Sequence, residues 1–132
     1  GDFKNRLIYA IQTNNREMII YLLSTKTKEI IGNLRYCIQY YKSQKCKVVL
    51  IIPYKPIKNT PLYNMICIAC NFYDMIKTEI MALIEELEID HIDLSEWSDE
   101  FKVGDHIPEP SILGAKDLAI KIQDKYIGLK IN

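Results

Sequence analysis

Leu7-Ile8-Tyr9-Ala10-Ile11-Gln12-Thr13-Asn14-Asn15 decides the fold of this chain, because its apolar opening fits either a strand or one face of a helix. Arg6 to Ile11 reads as a strand, closed by Gln12, Thr13, Asn14 and Asn15, residue types that favour turns and helix caps. From Thr27 onward, Ile30, Ile31, Leu34, Cys37, Ile38 and Tyr41 recur at three- and four-residue intervals, which predicts an amphipathic helix with Glu29 in its first turn. Cys46 to Pro53 is rich in β-branched residues and ends on proline, as expected of a strand buried on both faces.

Pro56 and neighbouring lysines make Tyr54 to Asn59 a loop, and Leu62 to Cys70 is apolar without a clear period. Asn71 with Asp74 can cap a helix whose stripe is Ile76, Ile80, Leu83, Ile84 and Leu87. Ile89 to Leu94 reads as a short strand, Ser95 to Pro110 as a polar loop, and Ser111 as the cap of a last helix burying Ala115, Leu118, Ala119, Ile122 and Tyr126. The order strand, helix, strand, helix, strand, helix predicts one α/β domain over residues 1–132. It would hold a small parallel sheet with flanking helices, three-layered and Rossmann-like or flavodoxin-like.

The 132 residues suffice for one core but are few for two. Seventeen basic and 17 acidic residues give zero net charge, which disfavours nucleic acid and anionic membranes as partners. No apolar run approaches the roughly 20 residues a membrane span needs, and the first residues carry no basic region ahead of an apolar signal core. Cys37, Cys46, Cys67 and Cys70 lack the regular spacing of a disulfide scaffold, so reduced thiols and a cytoplasmic location are expected. Cys67-Ile68-Ala69-Cys70 has the spacing of a zinc pair, but its apolar setting favours core thiols, and neither a metal nor a cofactor is expected.

In open α/β sheets ligands bind at the carboxyl ends of the strands. Lys55 and Lys58 follow the central strand and are candidates for holding an anionic small-molecule substrate. Trp97, in the acidic loop Ser95 to Glu100, is a candidate ligand anchor or a cap on the sheet edge. Asp105 and His106, adjacent in the turn before the last helix, are the candidate catalytic acid–base pair. Tyr36, Tyr40 and Tyr41 with Lys42 and Lys45 are explained by a helix that buries one tyrosine and solvates the others. A three-stranded sheet leaves two edges open, so pairing with a second copy or a partner protein is expected.

Leu7 to Asn15 resembles the third strand and Gly-x-Asn-Asp block of the SGNH (GDSL-like) hydrolases. Val48 to Pro53 is similar to the next strand, and Asp105-His106-Ile107-Pro108 to the final Asp-x-x-His block. The resemblance implies hydrolysis of an ester or related acyl or phosphoryl bond, with Asn14 as oxyanion donor, Asp105 as orienting acid and His106 as base. Gln12 replaces the block glycine, Pro108 stands at the histidine position, and Phe3 falls where the nucleophile belongs, so the covalent mechanism lacks its first step.

A second resemblance belongs to a different class. Leu7 to Leu23 is similar to the two antiparallel helices of an ankyrin repeat, with alanine, asparagine and the paired leucines in register, and Thr60-Pro61-Leu62 to that family's repeat opening. It implies a non-enzymatic protein-binding module in which Arg6 to Ile11 is helix, although the spacing of the matches is irregular for stacked repeats.

Overall fold

The computed structural model describes residues 1–103 and 109–126. The chain opens with two helices, α1 (Asp2–Gln12) and α2 (Arg16–Ser43), and no strand precedes them. The strand expected over Arg6 to Ile11 is therefore helix. The run is too short for its period to decide, and Phe3, Leu7, Ala10 and Ile11 share the three- and four-residue spacing of a helix face that packs against Leu22 and Leu23 of α2.

The polar block does make a turn, but between two helices. The Asn14 N–H donates to the Ile11 carbonyl and the Asn15 N–H to the Ala10 carbonyl at 2.9 Å, which satisfies the last carbonyls of α1. Asn14 takes φ 52°, a left-handed conformation that asparagine tolerates. Asn15 then caps α2, its side-chain oxygen accepting from the Met18 N–H at 3.1 Å. The helix foreseen from Thr27 thus begins eleven residues earlier, at Arg16.

Strand β1 (Val49–Ile52) pairs in parallel with β2 (Asp90–Asp93), in the register Val49 opposite Asp90 through Ile52 opposite Asp93. Between them lie a short α3 (Pro61–Tyr63), a π-helical stretch Asn64–Ala69, and α4 (Phe72–Leu87). A 3-10 turn (Asp99–Phe101) leads to β3 (Lys102–Val103), which pairs antiparallel with β4 (Glu109–Pro110), and α5 (Ile112–Tyr126) follows. The described residues are mostly helical, with two sheets of two strands each. This corrects the three-layer α/β expectation and the hydrolase-like architecture drawn from it. With four short strands among the described residues, one part of the apolar surface is closed helix on helix and the rest by helices against the two-stranded parallel sheet.

The core has three parts. Leu7, Ala10, Leu22, Leu23 and Cys70 form one, joined by Met65, Phe72 and Met75, so the α1–α2 hairpin packs on the π-helical stretch and the first turn of α4. Ile52, Ile80 and Ile84 form the second, with Ile31 and Leu34 of α2 packed against it. Ile92, Leu94 and Trp97 form the third, with Val49, Tyr54, Phe101 and Leu118. Fully burying a leucine such as Leu7 contributes about 1.5–3 kcal/mol.

Three local expectations also change. Ile51 is 40% exposed, so β1 is not buried on both faces. Asn71 has φ 52° and makes no side-chain cap bond to α4. Ser111 does cap α5, accepting from the Gly114 N–H at 3.1 Å, but Ala115, Ala119 and Ile122 point outward while Gly114 is the buried contact. Among the described residues, no helix is long and apolar enough to cross a membrane.

Candidate functional site

Both parallel strands run to the same end of the sheet, and the Leu94 N–H donates to the Ile52 carbonyl at 3.0 Å before the chains diverge. The diverging loops leave a cleft of 510 Å³. Lys55, Lys58 and Trp97, three of the residues singled out from sequence, line it together. Asn14 stands apart, in the α1–α2 turn, and lines none of this cleft. Asp105 and His106 lie outside the described residues.

Ser95 is the best-anchored group in the cleft. Its N–H donates to Asp93 Oδ1 at 2.8 Å, and its hydroxyl oxygen accepts from Lys77 Nζ at 2.9 Å. Lys77 also faces Asp93 Oδ2 at 3.9 Å. Partial burial opposes ionisation of Asp93, but the hydrogen bonds from Ser95 and the charge of Lys77 outweigh it, and the carboxyl lies below its ordinary range. Lys77 donates to the serine rather than accepting from it, so this pair anchors Ser95.

Lys102 enters from β3. Its side chain is only 4% exposed, and its ammonium meets Asp99 Oδ1 at 3.1 Å. The other oxygen of Asp99 accepts from the Lys58 backbone N–H at 3.4 Å. Behind this pair, Lys55 Nζ lies 5.5 Å from the centre of the Tyr73 ring, and the Tyr73 hydroxyl donates to the Pro53 carbonyl. Burial pushes the Tyr73 hydroxyl well above its ordinary range, so it stays protonated and holds the loop. Burial likewise pushes the Cys67 thiol up, against the pull of Lys55 and Lys102.

Trp97 serves packing first. It stacks on Tyr54 at 5.1 Å, packs on Phe101 at 5.5 Å, and donates from Nε1 to Asp117 Oδ2 at 2.7 Å. The indole therefore ties α5 to the sheet while presenting part of its edge to the cleft. Tyr63, Ser95, Glu96, Ser98, Asp99 and Lys102 are the lining residues that sequence reading left out. The available signals were small. Thr60 caps α3 by accepting from the Tyr63 N–H at 3.3 Å, which Thr60-Pro61 foreshadows, and Asp99 and Lys102 are three apart. Among the described residues, no three His, Cys, Asp or Glu side chains are arranged to hold a metal ion.

A second surface lies on α2. A 28-residue helix is about 42 Å long and the 11 residues of α1 reach about 16 Å, so α1 cannot cover the whole of α2. The far half turns Ile31, Leu34 and Ile38 inward, and Arg35 pairs with Glu86 of α4. Its other side carries Tyr36 and Tyr40, 72% and 51% exposed, while Tyr41, 52% exposed and seven residues after Leu34, borders the inward stripe and packs edge to face on Tyr40 at 5.3 Å. None of the three is buried, contrary to the expectation that one would be. Neither a family model, nor a curated protein, nor a solved structure matches this chain.

Proposed function

We propose that this chain is a non-enzymatic protein-binding module, ankyrin-like in its first hairpin, which engages a partner protein through the tyrosine face of α2. The observation that carries the reading is the packing of the α1–α2 hairpin on the next helical segments, the π-helical stretch and α4. Ala10, Leu22 and Leu23, the alanine and paired leucines of the ankyrin likeness, are buried at that junction together with Leu7, while the asparagines form the exposed turn. Helices packed in this way form a stiff scaffold that leaves whole helix faces free for recognition. Tyrosine is favoured on such faces because it offers a large amphipathic contact at small entropic cost. The four cysteines are free, which supports a reducing, cytoplasmic setting for the module.

The test pairs partner capture with a turnover screen. Tyr36→Ser/Tyr40→Ser should keep the helical circular dichroism of the parent while losing a captured partner by tenfold or more, and neither protein should turn over an ester panel. Equal capture by parent and variant, or ester turnover by the parent, would overturn the reading.

A further inference from the structure

We infer that the cleft at the carboxyl ends of β1 and β2 is a binding site for a small phosphate-bearing anion. It is independent of the tyrosine face. Among the described residues, three lysines, Lys55, Lys58 and Lys102, line the cleft against two carboxylates, Glu96 and Asp99, leaving one net positive charge. The pairs within it sharpen that balance. Lys102 and Asp99 neutralise each other, which leaves the ammonium groups of Lys55 and Lys58 with Glu96 as the remaining carboxylate lining the cleft. Burying Lys102 to 4% exposure with a single carboxylate costs desolvation energy that a purely structural loop could avoid with an apolar residue.

The Ser95 hydroxyl is taken up by Lys77 and Asp93, so the ammonium groups of Lys55 and Lys58 are the donors the cleft offers an anion. Lys77 sits behind that serine with its charge offset by Asp93, so Lys55 and Lys58 carry the positive charge of the site. Lysine ammonium groups hold phosphate oxygens as point charges, and two of them converging on one cleft suit a compact anion. The volume of 510 Å³ fits a small molecule rather than a macromolecular segment.

The experiment is a titration of the full chain with inorganic phosphate, followed by amide chemical shifts at fixed ionic strength, with acetate as a second arm. Saturable shifts should gather at Lys55 to Lys58, Ser95 to Ser98 and Lys102, and acetate should bind at least tenfold more weakly. Lys58→Gln, at an exposed position that should not disturb folding, should weaken phosphate about tenfold, while Lys116→Gln on α5 should leave it unchanged. Absence of saturation, equal affinity for acetate, or equal weakening by Lys58→Gln and Lys116→Gln would each overturn the inference.

Discussion

Where α1 meets α2 the contacts are apolar: Leu7 and Ala10 against Leu22 and Leu23, with Met18, Ile19 and Ile11 around them. Where α5 meets the sheet, polar bonds supplement a small apolar contact. Trp97 donates to Asp117, Lys125 meets Asp90 at 2.8 Å, the Tyr126 hydroxyl donates to the same carboxylate at 3.3 Å, and Leu118 packs on the Trp97 cluster. The first junction rests on area removed from water, which salt and pH barely alter. The second depends on ionised carboxylates, so solution conditions can loosen it. The cleft with its buried lysine is at that second end.

The strongest challenge to this comparison is Leu7→Ala. It should cost about 2–5 kcal/mol in urea unfolding, because the side chain is fully buried in the hairpin junction. A cost below about 1 kcal/mol would mean that α1 is not packed there.

Two glycine substitutions separate the regions by sign. In α5, a Cβ on Gly114 would stand 2.2 Å from the Phe101 carbonyl oxygen, so Gly114→Ala should destabilise by about 1–3 kcal/mol despite the better helix propensity of alanine. In α2, a Cβ on Gly32 meets nothing within 4 Å, so Gly32→Ala should stabilise by about 1 kcal/mol. Thermal unfolding of the two variants reads both, and shifts of equal sign would erase the distinction.

Acidification sharpens it further. The Trp97 N–H bond holds Asp117, and the Lys125 bond holds Asp90, below the ordinary value of 3.8. Folded pKa values below the unfolded ones stabilise the fold above about pH 4, and that contribution is lost as pH falls through the folded values. Trp97 fluorescence should therefore change below pH 4 before the far-ultraviolet helical signal falls. Coincident transitions would contradict a separately held α5. The smallest effect is expected at Tyr36→Ser, within about 0.5 kcal/mol of the parent in stability, because the ring is 72% exposed.

What the sequence disclosed follows the same division. The later part of α2, the stripe of α4 and both parallel strands were legible because their periods extend over enough residues or end at proline and turn residues. Arg6 to Ile11 was misread because five apolar residues carry no decisive period, and only Leu22 and Leu23 across the turn choose helix. On α5, Ala115, Ala119 and Ile122 suggested the buried side, but Asp117 and Lys125 bind it through their charges and turn that stripe outward. In the cleft, Lys55 and Lys58 were readable from their place after a strand, whereas Ser95 and Asp99 are brought there by contacts distant in sequence, with Lys77 and with the Lys58 backbone.

The most direct test of the account is the backbone conformation of Arg6 to Ile11, read from chemical shifts together with nuclear Overhauser contacts from Leu7 and Ala10. Helical shifts with contacts to Leu22 and Leu23 are the predicted result. Extended shifts, or helical shifts without those contacts, would contradict the packed hairpin and the binding module built on it.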